Sequence, residues 1–264
     1  LETSRDGKRW ETAAIFKGGK AETSLKSDIQ GIRIRVTKDQ GQWLAIREIT
    51  LGNQSRTMFS TSKVVRASGK NVKLTLTVDI EHFEDLKPHI STMSKLYFND
   101  WKKIVRELNA PIERTPTHLF ISFRDKMGHP AHVLGTSMVI EADHMRRNPD
   151  DIIGVFTHEL THFVQNYAAN APSWFVEGSA DYIRYKAYPD SKWAKTNLAR
   201  TDKSKPLGAY WNSTAFLLWI EKEYKPGAVA IVSEACKDGT YTNEIWEKLT
   251  GKSLQELTDA YKKS

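Results

Sequence analysis

The chain has 264 residues, 39% hydrophobic and 27% charged, with a single cysteine and a formal net charge of +7. Those proportions describe a globular chain with a sizeable core rather than a disordered one, and the lone Cys236 excludes an internal disulfide and a thiolate metal cage. Residues 1–70 hold 14 Lys+Arg against 7 Asp+Glu while the remaining 194 hold 25 of each; this N-terminal excess is scattered along strand-like segments without a recognition motif, which argues against nucleic acid as a partner.

The first residues, LETSRDGKRW, are polar and give no signal peptide to read. Asp6-Gly7 marks a turn, and GIRIRV (31–36) and WLAIREITL (43–51) alternate apolar with charged residues at the period of a half-buried strand. KDQG between them reads as a hairpin turn, so the first fifty residues are expected to be all-β. Residues 53–70, rich in Ser, Thr, Asn and Lys, read as a linker. VKLTLTVDI (72–80) alternates again, a helix is expected near 91–108, and strands at THLFISF (117–123) and TSMVIEA (136–142) follow, broken by Gly128, Pro130 and Gly135. The rest is helix-like. No apolar run approaches the roughly 18 residues of a membrane span, so no transmembrane segment is expected.

Asn148-Pro149-Asp150-Asp151 reads as a helix start, with Asn as cap and Pro at the first helical position. Ile152, Phe156, Leu160, Phe163 and Tyr167 then recur at helical spacing to about residue 167. Within this run, HELTH places His158 and His162 four apart on one face, a geometry in which two imidazoles occupy two corners of a zinc tetrahedron without bending the helix. Glu159 projects about 100° further round, suited to act as general base toward water at the metal. The competing reading is a pair of hydrogen-bonded core histidines. A second helix, 174–188, carries Glu177 and Asp181 among Trp174, Phe175, Val176, Tyr182 and Ile183. Buried acids need partners: Glu177 would serve as third ligand and Asp181 would accept the free ring N–H of a ligating histidine, His158 by preference. Against this stands a Glu177 paired with Lys or Arg and an Asp181 that solvates the helix surface.

HELTHFVQNY, APSWFVEGSADYIRY and YWNSTAFLLWI resemble the plant and bacterial basic secretory protease family, of the gluzincin type in which a glutamate on a second helix completes the zinc site. The resemblance covers roughly residues 72–264. It implies that His158, His162 and Glu177 bind Zn2+, that Glu159 is the catalytic base and that Asp181 supports a ligand from behind. Tyr210 lies where such enzymes can carry a phenol that donates to the developing oxyanion; packing at the start of a helix is the alternative. Residues 1–52, through SRDGKRWETAAIF, GIRIRV and WLAIREITLG, are similar to the C-terminal part of a discoidin-like, coagulation-factor C-type module.

The expected fold class is α+β: a zincin-like metallopeptidase domain over 71–264, a linker over 53–70, and a small N-terminal all-β segment over 1–52, a partial jelly-roll sandwich. The expected function is zinc-dependent endopeptidase action on proteins or glycoproteins, with substrate laid along an exposed edge strand near 136–142. A carbohydrate- or glycoprotein-binding surface protein with an inactive peptidase-like domain is the alternative, with sugar contact through the N-terminal module. Both resemblances imply a secreted, cell-surface or periplasmic protein.

Overall fold

The computed structural model describes residues 1–17, 21–23, 30–37 and 57–264, in two compact units, Leu1–Leu51 and Gly52–Ser264. In the first, β1 (Glu2–Ser4) lies between β2 (Glu11–Thr12) and β3 (Gly31–Arg33) in an antiparallel sheet. Glu2 is buried and accepts from Arg33 Nε at 2.5 Å, and the Arg33 guanidinium lies 4.3 Å from the Trp10 ring centroid. Of the expected strand at 31–36 only 31–33 is paired. The strand expected at 43–51 and its KDQG turn lie outside the described residues, and the two packed sheets of a jelly roll are not among the described ones.

The second unit has a five-stranded sheet in the order β4-β5-β6-β8-β7: β4 (Met58–Ala67), β5 (Lys70–Asp79), β6 (His118–Arg124), β7 (Ala131–Leu134) and β8 (Ser137–Glu141). β5, β6 and β8 run parallel; β4 and β7 are antiparallel to their neighbours. The 53–70 linker is therefore corrected over 58–67, which pairs with β5 along its whole length. Only Val65 and Ala67 of that strand are buried, so apolar alternation is weak and the ladder, with hydroxyl pairs Ser60–Thr77 and Ser62–Thr75, holds it. Ser68 and Gly69, both at positive φ, make the two-residue hairpin turn whose twist matches paired strands. The edge strand is corrected too: β8, the core of the 136–142 reading, is sandwiched between β6 and β7, and the open edge on that side is β7.

Helix α1 (Lys87–Glu107) covers the expected 91–108 and buries Ile90, Met93, Tyr97, Trp101, Ile104 and Val105 at helical spacing. Its Tyr97 hydroxyl donates to Thr117 O and its Trp101 indole to Pro116 O, which ties the helix to the entry of β6. After α2 (Ala142–Arg147), Pro149–Asp151 form a 3-10 turn before α3 (Ile152–Gln165). Asn148 makes no side-chain cap; its amide donates back to His144 O. α3 packs on α1, β7 and α4 (Ser173–Ala187), and α5 (Lys192–Leu198), α6 (Tyr210–Glu223), α7 (Ala228–Asp238), α8 (Glu244–Thr250) and α9 (Leu254–Lys263) complete the unit. No described helix is long and apolar enough to cross a membrane.

Candidate active site

The site is built from two adjacent helices and the start of a third. α3 is buried almost all round, and His158 and His162, one turn apart, project into a cleft of about 650 Å3 bounded by α3, α4, β7 and the N-terminus of α6. α4 can approach α6 because residue 178 is glycine. A Cβ there would lie 2.5 Å from the Ser213 Cβ, and in its place Thr214 Oγ1 donates to Gly178 O at 2.9 Å. That seating sets the rotation of α4 and turns Glu177 toward the histidines.

His158 Nε2 lies 3.0 Å from His162 Nε2, and Glu177 Oε2 lies 3.3 and 3.5 Å from these two nitrogens. Nitrogen and oxygen ligands at zinc distances of about 2.0–2.1 Å sit about 3.3 Å apart along a tetrahedron edge, so the three donors outline one face of such a tetrahedron. The opposite ring nitrogens are both engaged: His158 Nδ1 with Asp181 Oδ1 at 2.7 Å and His162 Nδ1 with Gln165 Oε1 at 2.7 Å. A carboxylate and an amide oxygen only accept, so each Nδ1 carries a proton and each Nε2 is directed at the same point beside the Glu177 carboxylate. Two imidazole nitrogens that can shed a proton there and a carboxylate are a donor set for a cation, and these three residues are the described group able to hold a metal ion.

The electrostatics agree. Burial works against a charged His158 ring, yet the carboxylates of Asp181 and Glu177 push it up to about 10. Burial would raise Glu177, but the two imidazoles bring it down to about 2. Positive charge is favoured where the donors converge. Glu159 is 6% exposed and behaves differently: burial raises its pKa, and its Oε2 has no hydrogen-bond partner. Tyr210 stacks on His158, with ring centroids 6.2 Å apart and planes at 22°, and is 47% exposed at the cleft mouth. The charge on Glu177, then partial burial, raises its phenol pKa, so it stays a proton donor. Its backbone is strained: Ala209 at φ 60, ψ 178 occupies a region that favours glycine, and Tyr210 itself has φ 48.

The structure thus brings His158, Glu159, His162, Glu177, Asp181 and Tyr210 into one cleft. Sequence reasoning missed Gln165, which also donates through Nε2 to Val176 O at 3.0 Å and Ser179 Oγ at 2.8 Å and so cross-links α3 to α4 behind His162. Its signal was present, a polar residue three after His162 in an otherwise apolar stretch. His129 and His132, paired at 2.9 Å, line the same cleft from the turn before β7 and from β7 itself; no periodicity announced them.

A parallel-cored mixed sheet covered by a helix with HExxH, followed by a helix that turns a glutamate toward the two histidines, makes an α+β fold resembling that of zincin-type metallopeptidases. The chain belongs to the family described as peptidase of plants and bacteria, whose sequence profile matches residues 121–261. Among solved structures it is similar in fold to a mutant M1 zinc metallopeptidase from Deinococcus radiodurans with a Tyr-Ser-Ala substrate bound, at 11% identity and a TM-score of 0.50, covering 77% of this chain and 51% of that one. A second structure of the M1 zinc metallopeptidase from that organism matches at 10% identity and a TM-score of 0.45 over the same shares. The chain therefore spans about half the length of the solved structures it matches. No curated protein matches it, and the family match begins at residue 121, so it assigns nothing to residues 1–52.

Proposed function

We propose that the chain is a zinc-dependent endopeptidase that hydrolyses peptide bonds in proteins, with His158, His162 and Glu177 as ligands. The observation that carries this is the buried, unpartnered Oε2 of Glu159 beside three metal donors spaced as a tetrahedron face. Zinc held there supplies Lewis-acid chemistry, acidifying water and polarising the scissile carbonyl. Glu159, its basicity raised by burial, takes the proton of the attacking water and passes it to the leaving amine. The Tyr210 phenol donates to the oxyanion that forms on the carbonyl oxygen. Asp181 and Gln165 hold the two rings against rotation. Substrate main chain pairs with the open edge of β7, which lies along the cleft.

The test is a peptide-library digest of the zinc-loaded chain and of Glu159→Gln, with zinc content measured on both. The variant is expected to keep one zinc per chain and to lose turnover by about 100-fold or more; equal cleavage by both would sink the mechanism. An inactive peptidase-like domain that binds carbohydrate predicts zinc without cleavage in the wild type.

We further propose an extracytoplasmic location, supported by the resemblance to secreted proteases. The antiparallel strands of residues 1–33 support a discoidin-like, sugar-contacting segment. A glycan array probed with the whole chain tests it, and no retained glycan would remove that role.

A further inference from the structure

Strand β7 is antiparallel to β8 in a register that pairs Ala131 with Ile140, His132 with Val139, Val133 with Met138 and Leu134 with Ser137. The ladder continues one residue back, where the Glu141 N–H donates to Pro130 O at 2.8 Å. Hydrogen-bonded rungs alternate in an antiparallel pair, so His132 and Leu134 turn their backbone polar groups to β8, whereas the N–H and C=O of Ala131 and Val133 point to the open edge. A peptide laid antiparallel on that edge hydrogen-bonds to Ala131 and Val133, and its residue between those contacts sits directly across from His132. That rung is not hydrogen-bonded, the kind that brings opposite Cα atoms to about 4.5 Å and their side chains closest together.

The side chain met there belongs to a basic group. Ser122 lies across from Val139 and Val139 across from His132, so His132 shares the sheet face opposite to the one that buries Ile121, Met138 and Ile140. Arg124, two residues beyond Ser122 on β6, is on that same face. His129, from the turn before β7, sets its Nε2 2.9 Å from His132 Nδ1, and both exposed rings line the cleft. Two neutral imidazoles carry two N–H groups between them. One makes the contact, so the other points outward whichever tautomers are present, and a further proton adds a second outward donor. Burial, then the charges of His129 and Arg124, lower the His132 pKa, and an anion set beside the three groups offsets that repulsion. The neighbouring acids are already engaged, Glu141 by Met127 N–H, Gly128 N–H and Arg147, and Asp125 by Arg146.

We propose that His132, with His129 against it and Arg124 on the same face, forms a subsite that selects an acidic side chain in the substrate residue opposite His132. The inference rests on the reading of the cleft as a zinc peptidase site with substrate on β7, and it names the substrate class of that site: peptides with a carboxylate at one fixed position. The carboxylate accepts from the outward N–H of the pair, a charge-assisted bond of the stronger kind. Chelation of a second metal by the same two nitrogens is disfavoured. Arg124 adds positive charge beside them, and among the described residues no third His, Cys or carboxylate donor joins them.

The experiment is a digest of a random peptide library by the whole zinc-loaded chain, with products sequenced by mass spectrometry. It is repeated with His129→Gln, His132→Gln, the double variant and His132→Glu, with zinc per chain and circular dichroism recorded for each. The wild type is expected to enrich Asp and Glu at one position relative to the cleaved bond. On matched peptides with Glu, Gln or Lys at that position, kcat/KM should favour Glu over Gln about 10-fold, the worth of one charge-assisted hydrogen bond. That ratio should collapse in the double variant, and His132→Glu should prefer Lys to Glu; a merely structural role for the pair would move all three peptides alike. No acid enrichment at any position, or an acid preference that survives in the double variant, would overturn the proposal. A second zinc per chain that is lost in the double variant would identify the pair as metal donors and overturn it as well. If the double variant does not fold, the single variants carry the test, and an unchanged Glu-to-Gln ratio in all of them is equally fatal. A wild type that cleaves no peptide overturns the peptidase reading and this inference together, whereas cleavage indifferent to the residue opposite His132 overturns this inference alone.

Discussion

Glu159 and Glu177 are two glutamates of one cleft whose surroundings drive them apart. Glu159 is pushed up by burial and has an oxygen with no partner, while Glu177, despite burial, is drawn down to about 2 by two imidazoles. The division of labour proposed for them, proton transfer against ligation, follows from environment, since the side chains are identical. Tyr210, whose phenol is kept protonated chiefly by the charge of Glu177, gives a clean single-residue test. Tyr210→Phe is expected to lower kcat about 100-fold with zinc content unchanged, the loss typical of one oxyanion donor, measured by steady-state hydrolysis beside elemental analysis. Gln165→Leu removes the acceptor from His162 Nδ1 and should weaken zinc binding about 10- to 100-fold, read by chelator competition. His158, Glu159, His162 and Glu177 were legible in sequence because four-residue spacing fixes a helix face. The place of Gln165 was not, because it depends on which neighbouring helix supplies the second half of its contact.

Among the elements, α3 is the one whose ends the fold has to manage. Its last turn places Asn166 in the left-handed conformation, and the Lys237 ammonium, from α7, donates to Val164 O at 2.7 Å and Gln165 O at 3.1 Å. A cation at a helix C-terminus satisfies orphan carbonyls and complements the dipole. Lys237→Met should cost about 1–2 kcal/mol of stability, measured by chemical denaturation of the metal-free chain. On α4, Gly178→Ala drives a methyl group to 2.5 Å from Ser213 Cβ. Overpacking of that kind costs about 1–3 kcal/mol, and because it pushes α4 away from α6 it should also lower zinc affinity. The glycine of WFVEGSADY is thus explained by helix approach. The helices themselves were legible from apolar recurrence at 3.6 residues. β4 was not, since a strand rich in Ser, Thr and Lys with two buried residues looks like a loop until its partner is known.

The whole second unit is expected to respond to acid and to metal. Glu141, buried at the end of β8, accepts from Met127 N–H and Gly128 N–H at 2.9 Å each and from Arg147 at 3.1 Å. The backbone donors hold its pKa below the ordinary 4.5, and Arg146 holds Asp85 below 3.8. A carboxyl lowered on folding contributes stability that is complete above its unfolded pKa and disappears as pH falls through its folded one. The thermal midpoint of the metal-free chain should therefore fall below pH 4.5, with a smaller acid drop in Glu141→Gln, which begins less stable at neutral pH. Zinc at 100 times its Kd stabilises by about 2.7 kcal/mol. Chelator should lower the midpoint of the wild type accordingly and leave Glu177→Ala unmoved.

By itself the sequence determined what depends on neighbours along the chain. The two imidazoles on one face, Glu159 beside them, the acids on the next helix and the α+β class all follow from spacing and periodicity. Only the tertiary structure decided that β7 rather than β8 is the open edge among the described strands, that 58–67 is a strand, that Gly178 is a place of close approach, and that Gln165 joins two helices behind His162. Those are contacts between residues far apart in sequence, and the free energy that selects them comes from burial and pairing across elements, which no local pattern encodes.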